Sequence, residues 1–519
     1  MISADETAYR SGWWFSGGRA LPDDGRRAAI IMLGIAALII LLSLLGAPGA
    51  DRLREGNFDR AAARAALVLA GVPTCGQAAA SRPAERSCIE PDRRAAMQGT
   101  LAAIPPGYAF VLAGAHRIGL VGGAQLVCLA DGEIARQAAT EDASPVADQA
   151  PAQAPQTNAA ETDAVQTGAV TTVSSCVAPG TVRVLRLLGV LAALGALALA
   201  FATAVLASGA WTIAGLTALL VSLAGALGRY GVAIRGEIFL ILFVFAGILL
   251  LLRGLGARKA SSRFACHLGA GFTFSVAGLF APIWLAAVPL AAVASLLAVD
   301  THRHALRDRA LDACLIAAGA AAGLAMASTA LPTTGHLVSA SETTLAFDLA
   351  ARSAFTDLKA TTYLAGVIYW LPQVGDTLAA FTLPASSFAP LVPGSPNYYV
   401  AVGHIGFAAD VAAGDAQGIS AAFADLVSEP LFWLATSALL FLKAVSVSAQ
   451  ITGMFGLGFV ARYAHVARAR RRTTPAIAVV GLTLAMTIVI AAFSPATLQL
   501  AAPLVLGYAL VVAERFGAL

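Results

Sequence analysis

The chain has 519 residues, of which 58% are hydrophobic and only 12% are charged. Soluble globular proteins are about half apolar and about one quarter charged, so this composition excludes an ordinary soluble enzyme and predicts an all-α polytopic membrane protein. The formal net charge of +4 says less than the positions of lysine and arginine, which tend to stay on the cytoplasmic side near span ends.

The first apolar run covers residues 28–47 and follows Arg26 and Arg27. It is too long and too uniformly apolar for the core of a signal peptide, and no convincing cleavage site follows it directly. We therefore expect a retained membrane anchor after a cytoplasmic segment, 1–27. Further apolar runs bring the expected total to about ten transmembrane helices. They lie at about 184–207, 209–228, 237–253, 265–281, 283–299, 310–330, 431–460, 475–493 and 497–513.

Alternating these spans from an inside N-terminus places the short basic loops "RGLGARKASSR", "HRHALRDR" and "ARYAHVARARRR" on the cytoplasmic side, in agreement with the positive-inside rule. We therefore expect a multi-pass protein of the cytoplasmic (inner) membrane with two large extracytoplasmic loops containing interfacial helices. The predicted units are the N-terminus 1–27, the first helix 28–47, an outer loop 48–182, a helix bundle 183–330, a second outer loop 331–430 and C-terminal helices 431–519.

Four of the six cysteines, Cys75, Cys88, Cys128 and Cys176, lie in the first outer loop. Because disulfides persist in oxidising compartments, pairing such as Cys75 with Cys88 and Cys128 with Cys176 is expected, although four cysteines allow three connectivities and free thiols are the alternative. The segment 137–175 in the same loop has almost no large apolar side chains, which predicts a disordered insertion.

The first outer loop also contains "TLAAIPPGYAFVLAGAHRIGL", residues 100–120. Its apolar run is too short to cross a bilayer and is interrupted by His116 and Arg117. Two interpretations remain open: an interfacial helix over 105–118 beside the active cleft, or a helix packed in a small subdomain. In the first interpretation His116 and Arg117 lie at headgroup level and are candidate substrate contacts.

Candidate phosphate-binding residues lie in a short outer turn, "GRYGVAIRGE", between two apolar spans. Arg229 and Arg235 are favoured because the planar guanidinium group suits phosphate oxygens, and Tyr230 lies between them. Snorkelling to the interface is the alternative for each arginine, and Glu237 can pair with either of them. In the second outer loop, Tyr398, Tyr399 and His404 are candidate sugar or phosphate contacts, although interfacial tyrosines often form an aromatic belt.

Several stretches resemble, in order, the polytopic glycosyltransferases of the GT-C class, the relatives of dolichyl-phosphate-mannose and aminoarabinose transferases. "PPGYAFVLAGAHRIG" is similar to the juxtamembrane stretch of that family, "GRYGVAIRGEIFLILFVFAGILLLLR" to its third outer turn and following span, and "SEPLFWLATSALLFLKAV" to the start of the span after its large outer loop. The resemblance covers about residues 28–450. It implies transfer of a sugar from a polyprenyl-phosphate carrier to an acceptor at the outer membrane face.

The resemblance also implies a carboxylate shortly after the first span, followed by Ala, Leu and Gly at helical spacing. Asp59 has this spacing, with Ala66, Leu69 and Gly71 after it, and Asp51 is the rival candidate. Arg60 stands where the family commonly has glutamate. An ordinary solvated helix with arginine partners is the alternative. Whether a divalent cation takes part is left open, and no metal ligands are assigned.

Two other function classes remain in view. A transporter or lipid flippase is expected to have ionisable residues at mid-membrane depth and internal repeats, and an O-antigen polymerase or ligase has a large basic outer loop. No nucleotide-binding or zinc-protease motif is present, and nothing indicates a nucleic-acid partner. His302 and His304 lie in a short basic loop, which indicates a topogenic signal rather than a metal site. The expected partners are membrane lipid and a polyprenyl-phosphate-linked sugar, with the oligomeric state open.

Overall fold

A computed structural model describes residues 24–47, 59–72, 100–101, 103–131, 177–257, 259–297, 306–331, 335–354, 418–449, 475–494 and 503–516. All the regular secondary structure in these ranges is helical, and they contain no strand, which confirms the predicted all-α fold class. The insertion 137–175 lies outside the described residues.

Sixteen α-helices and one 3₁₀ helix are described. The first eight are α1 Asp24–Leu42, α2 Arg60–Ala70, α3 Gly107–Arg117, α4 Gly123–Asp131, α5 Pro179–Ser208, α6 Trp211–Leu223, α7 Ala226–Val232 and α8 Glu237–Leu255. The others are α9 Ala260–Gly278, the 3₁₀ helix Pro282–Ala286, α10 Ala287–Leu297, α11 Leu306–Thr329, α12 Gly335–Ala354, α13 Ile419–Ser428, α14 Pro430–Ala449, α15 Pro475–Phe493 and α16 Leu504–Phe516.

Four of the described helices, α1, α5, α8 and α11, are long and apolar enough to cross a membrane. The number rises to six if two bent pairs each count as one span: α6 with α7, bent by 53°, and α13 with the beginning of α14, bent by 95°. Shorter apolar helices occupy 282–297, 478–493 and 504–514. The protein therefore has several membrane-spanning helices, while the predicted total of about ten is not confirmed.

The bend between α6 and α7 aims α7 at α5. Gly225 causes it, because its φ of +76° ends α6 in a left-handed conformation that favours glycine. At the other end of α7, a Cβ atom on Gly189 of α5 would overlap the carbonyl oxygen of Gly231. Small residues at this crossing thus let two backbones touch, which positions the turn between α7 and α8.

The main core of the described bundle is formed by α1, α5, α6, α8, α9, α15 and α16. Helices α9 and α11 cross very closely, since Cβ atoms on Gly271 and Gly319 would overlap carbonyl oxygens of the opposing helix. Without a hydrophobic force between helices in lipid, such close backbone packing is a main source of association.

Helices α2, α3 and α4 form a small subdomain with its own apolar cluster. Arginines fix its helix ends: the Nε of Arg64 donates to the carbonyl oxygen of Ala130 at 3.1 Å, and an Nη of Arg117 donates to that of Leu69 at 2.8 Å. Cations suit these C-terminal helix ends. Residues of α3, including Tyr108 and Leu112, are buried, so α3 is a packed subdomain helix. Its depth relative to a bilayer stays a prediction.

The described cysteines have different states. Cys128 on α4 is disulfide-bonded, whereas Cys266 and Cys314 are free thiols. Cys75, Cys88 and Cys176 lie outside the described residues, so the predicted pairings remain predictions. A disulfide in the α2–α4 subdomain suits an oxidising compartment.

Helix α12 is attached to the bundle through a buried arginine. Arg352 is fully buried and donates hydrogen bonds to the carbonyl oxygens of Ala491 and Trp433 and to the hydroxyls of Thr436 and Ser437, at 2.7–3.4 Å. Ala491 belongs to the last turn of α15, where unsatisfied carbonyls favour a cation. One turn earlier on α12, the buried Asp348 is hydrogen-bonded to Ser494.

The stability of this attachment is expected to fall as the pH rises from about 4 to about 7. Burial raises the pKa of Asp348 to about 7 from 3.8, against the opposing effect of the Ser494 hydrogen bond. In this pH window the folded state holds a proton that the unfolded chain has lost, and stability levels off above pH 7. One pKa unit is worth about 1.4 kcal/mol, so we expect a loss of about 1 to 4 kcal/mol. Thermal unfolding against pH in detergent measures it, and Asp348→Asn should flatten the profile.

Candidate functional site

Asp59 lies at the N-cap of α2 and connects the α2–α4 subdomain to the bundle. Its side-chain oxygen accepts a hydrogen bond from the amide of Ala62 at 2.9 Å, as a cap does at a helix start. Its own amide donates to the carbonyl oxygen of Ile234 at 3.1 Å. Ile234 belongs to the turn between α7 and α8, so one backbone hydrogen bond brings two distant segments together.

That turn carries an ion pair. An Nη of Arg235 lies 3.0 Å from an Oε of Glu237, the first residue of α8, with side chains 35% and 13% exposed. The other oxygen of Glu237 is buried and accepts no hydrogen bond from the residues that the structure describes. Glu237 thus keeps one unused acceptor beside a partly accessible guanidinium group.

Tyr108 contributes a phenol from α3. The preceding residue, Gly107, donates its amide hydrogen to the carbonyl oxygen of Leu279 at 2.8 Å, and a Cβ there would come within 2.7 Å of Phe280. The close approach requires glycine and holds the start of α3 against the turn after α9. The Tyr108 ring packs near Phe239, with centroids 6.1 Å apart.

Asp59, Tyr108, Arg235 and Glu237 influence one another electrostatically. Although part of Asp59 remains accessible, burial raises the pKa of its carboxyl, while the Ala62 amide and the Arg235 charge oppose the rise. Burial, followed by the negative charges of Asp59 and Glu237, raises the pKa of Tyr108 well above its usual value. Tyr108 therefore stays protonated at neutral pH and can act as a hydrogen-bond donor.

Three helix N-termini meet at this place: α2 begins after Asp59, α3 begins at Gly107 and α8 begins at Glu237. Partial positive charge at such ends favours anions, as does the Arg235 guanidinium. The site, meaning Asp59, Tyr108, Arg235 and Glu237, thus combines a carboxylate that can accept a proton with groups that can stabilise an anion.

The structure brings together some of the sequence-predicted residues. Arg235 interacts electrostatically with Asp59, and Arg229, which is exposed, acts on Glu237 across the end of α7. Tyr230, which is partly buried, lies next to it. These positions put the predicted phosphate-binding residues beside the predicted carboxylate. Their roles remain predictions.

His116 and Arg117 lie at the opposite end of α3, about 12 Å along the helix from Tyr108. The Nδ1 of His116 is 2.8 Å from the carbonyl oxygen of Val121, and Arg117 binds the end of α2 as described. Both side chains thus have structural contacts, and their predicted contact with substrate is still a prediction. Asp51, Tyr398, Tyr399, His404, His302 and His304 lie outside the described residues.

Sequence reasoning missed the importance of Tyr108 and treated Glu237 only as an ion-pair partner. The signal for Tyr108 is the Pro-Pro-Gly before it, which marks a helix start where glycine allows close approach. The signal for Glu237 is its place as the first residue of an apolar span, where an acid suits the helix dipole.

The described residues contain no group of three or more histidine, cysteine or acidic side chains that is arranged to hold a metal ion. At the site itself, Arg235 acts on both Asp59 and Glu237. Arg235 offsets one of these two negative charges, and Arg229 also acts on Glu237. The two arginines could bind an anionic ligand at this site.

A second polar cluster is buried at the far end of α9. An oxygen of Asp312 on α11 lies 3.1 Å from the Nε of Arg263 and 3.3 Å from the Nδ1 of His267. All three side chains are less than 10% exposed. Sequence reasoning did not identify this cluster, because His267 and Asp312 lie in two different apolar runs, 265–281 and 310–330.

The sequence matches no protein-family model and no curated protein. A solved structure with some similarity is the Archaeoglobus fulgidus oligosaccharyltransferase in a complex with zinc and sulfate, with a TM-score of 0.45 and 14% identity. The match covers 94% of this chain and 49% of that chain, so this chain spans about half the length of that protein.

Proposed function

We propose that the protein is a membrane glycosyltransferase that moves a sugar from a polyprenyl-phosphate donor to an acceptor on the outer face of the cytoplasmic membrane. The observation that supports this most is the meeting of Asp59, Arg235 and Tyr108 at three helix N-termini. These residues come from the stretches that resemble GT-C glycosyltransferases, and they supply the groups that such a transfer requires.

In the proposed reaction, an acceptor hydroxyl attacks the anomeric carbon, a new glycosidic bond forms and the bond to the donor phosphate breaks. The departing polyprenyl phosphate takes the bonding electron pair. Asp59 accepts the hydroxyl proton as general base, and its raised pKa makes it a better proton acceptor than an ordinary aspartate. Arg235, with Arg229 nearby, stabilises the phosphate charge that develops.

Tyr108→Phe is expected to slow transfer by about 10-fold to 100-fold, because the phenol donates a hydrogen bond to the leaving phosphate, and a bond to a charged group is worth about 1.5–3 kcal/mol. The ring stays in place against Phe239, so folding should be unaffected. Initial rates and a thermal unfolding curve measured on the same preparation separate the two effects. A normal rate would remove Tyr108 from the mechanism.

The proposed topology places both large loops, 48–182 and 331–430, outside. Contacts between helix ends support two opposite faces of the bundle. One face has the contacts of Ser43 with Gly228, Asp59 with Ile234 and Gly107 with Leu279. The other face has the contacts of Arg26 with Trp211, Arg263 with Asp312 and Arg309 with Leu296. The second face carries the basic loops, which favours the cytoplasm.

Single cysteines introduced by Ala150→Cys and Asp415→Cys should therefore react with a membrane-impermeant maleimide in intact cells. Arg303→Cys, in a predicted cytoplasmic loop, is the matched control and should react only after the cells are opened. Protection at position 150 or 415 would refute this arrangement.

The activity itself is tested with purified protein in liposomes that contain polyprenyl phosphates carrying radiolabelled hexoses or pentoses. Membranes from cells that lack the protein supply acceptors. Transfer of label from at least one donor, lost in Asp59→Asn, is the expected result. A wild-type protein that consumes none of these donors would contradict the proposed function.

One observation favours the transporter alternative, namely the buried Arg263, His267 and Asp312 cluster, because ionisable groups inside a membrane bundle commonly mark transport pathways. The cluster lies within the first two turns of α9 and α11, near one face rather than at mid-depth. This position, and the ion pairs of Asp312 with Arg263 and His267, suit a structural clamp between α9 and α11. Loss of pH-driven uptake in vesicles that carry Asp312→Asn would be needed to support transport.

A further inference from the structure

Arg186 on α5 is a buried arginine for which the described structure provides no partner. The residue is 8% exposed, and its Nε is buried without a hydrogen-bond partner. No hydrogen bond or ion pair to Arg186 occurs in the part of the chain that the structure describes. The other buried arginines behave differently, since Arg352 binds four oxygens and Arg263 pairs with Asp312.

The position of Arg186 follows from helix geometry. Residues three and four apart share a helix face, so Arg186 lies on the face of Val182, Gly189 and Val190. Gly189 and Val190 contact Gly231 at the end of α7. Arg186 is one turn, about 5 Å, closer to the start of α5, and therefore beside the segment where α7 gives way to the turn that carries Arg235.

A neighbouring arginine shows what an ordinary anchor looks like. Arg183 precedes Arg186 by three residues on the same helix and is exposed, as expected for a side chain that reaches from a span end to the interface. Arg186 instead turns inward. A buried charge without a counter-ion costs several kcal/mol, so a side chain held in this way is poised for an anion.

We propose that Arg186 binds the phosphate group of a lipid at the outer end of α5. Phosphate suits the planar guanidinium fork, which can donate two parallel hydrogen bonds. The start of a membrane-spanning helix is where lipid phosphates lie. The phosphate belongs either to a phospholipid headgroup or to a polyprenyl phosphate.

Binding is measured by native mass spectrometry on delipidated protein in detergent, titrated with short-chain phosphatidylglycerol in one series and with farnesyl phosphate in another. Wild type should bind at least one of the two, and Arg186→Met should bind it about tenfold or more weakly, since a lost charge-assisted pair is worth about that factor or more. Arg183→Met is the matched control and should bind as wild type does. If Arg186→Met weakens the binding of phosphatidylglycerol, the ligand is a phospholipid. If it weakens the binding of farnesyl phosphate, the ligand is a polyprenyl phosphate.

The melting temperature without added lipid is a second readout. If Arg186 is an anion-binding residue, Arg186→Met should unfold at the same or a higher temperature than wild type, because it removes an unpaired buried charge. If Arg186 has only a structural role, Arg186→Met should unfold at a lower temperature. Arg186→Lys keeps the positive charge but loses the planar guanidinium group, so it should bind the lipid severalfold more weakly than wild type. This variant provides the test if Arg186→Met does not fold. Equal affinity of wild type, Arg186→Met and Arg186→Lys for both lipids would overturn the proposal, as would a lipid-free Arg186→Met that is clearly less stable. A failed transfer assay would leave the phosphatidylglycerol series intact, so the two proposals fail separately.

Discussion

Asp59→Asn is expected to lower sugar transfer by about 100-fold to 10,000-fold, the usual effect of removing a general base from the reacting hydroxyl. The reason is local, because Asp59 is the carboxylate that interacts with Arg235 and Tyr108. Initial rates of transfer from a polyprenyl-phosphate-linked sugar measure the effect.

Folding should survive this substitution for a reason specific to the structure. Asp59 caps α2 through its bond to the Ala62 amide, and asparagine caps a helix start about as well as aspartate. Burial also disfavours the charged carboxylate, so a neutral amide costs little. Asp59→Ala is the matched comparison, because it removes both the cap and the base and should lose about 1 kcal/mol of stability in addition to the rate.

Asp51→Asn distinguishes the two carboxylates that the sequence nominates. It should retain transfer close to that of wild type. Loss of transfer in Asp51→Asn with normal transfer in Asp59→Asn would mean that the spacing argument selected the wrong residue. Full activity in both variants would remove this loop from the chemistry altogether.

The lengths of the apolar runs predicted many of the bundle helices, because the thickness of the bilayer sets the length of a membrane-spanning helix. The run 475–493 coincides with α15, and the runs 184–207 and 237–253 lie within α5 and α8. The run 209–228 was predicted as one span, whereas the structure has α6 and α7 with a 53° bend. Gly225 makes this break, and one glycine inside a hydrophobic run has little weight in a window average.

The site was harder to predict because it depends on contacts between distant segments. Spacing nominated Asp59, and the charge of the turn between α7 and α8 nominated Arg235, but neither signal indicated that Asp59 would be partly buried. The hydrogen bond from its amide to Ile234 draws it into the protein. Such a bond joins backbone groups 175 residues apart in the chain, and no local pattern records it.

The burial of Arg352 also could not be predicted from the sequence. In the sequence it is one of only two lysine or arginine residues in the predicted outer loop 331–430, which has eight acidic residues, and no local pattern indicates that its side chain is buried. In the structure it is fully buried against α14 and α15. Its hydrogen-bond acceptors are backbone carbonyl and side-chain hydroxyl groups, which are uncharged and therefore do not mark the contact in the sequence.

Arg352→Met is expected to destabilise the protein by about 1 to 3 kcal/mol. Methionine replaces much of the volume, but the carbonyl oxygen of Ala491 loses its donor, and a buried unsatisfied group costs about 1–3 kcal/mol. The carbonyl oxygen of Trp433 loses one of its three side-chain donors and keeps the other two. Thr436 and Ser437 also bond to Trp433 within α14, so their hydroxyls keep a partner and add less to the loss.

The damage should be greatest where α12 meets the bundle, because Arg352 donates four hydrogen bonds to residues of α14 and α15. Limited proteolysis within 355–417, the segment that follows α12, should therefore become faster, and the melting temperature in detergent should fall. Arg253→Met is the matched control: Arg253 is an exposed arginine in the last turn of α8, and its loss should change stability by no more than about 0.5 kcal/mol. Equal melting temperatures for the two variants would show that the α12 attachment rests on its apolar contacts with α13 and not on the buried guanidinium group.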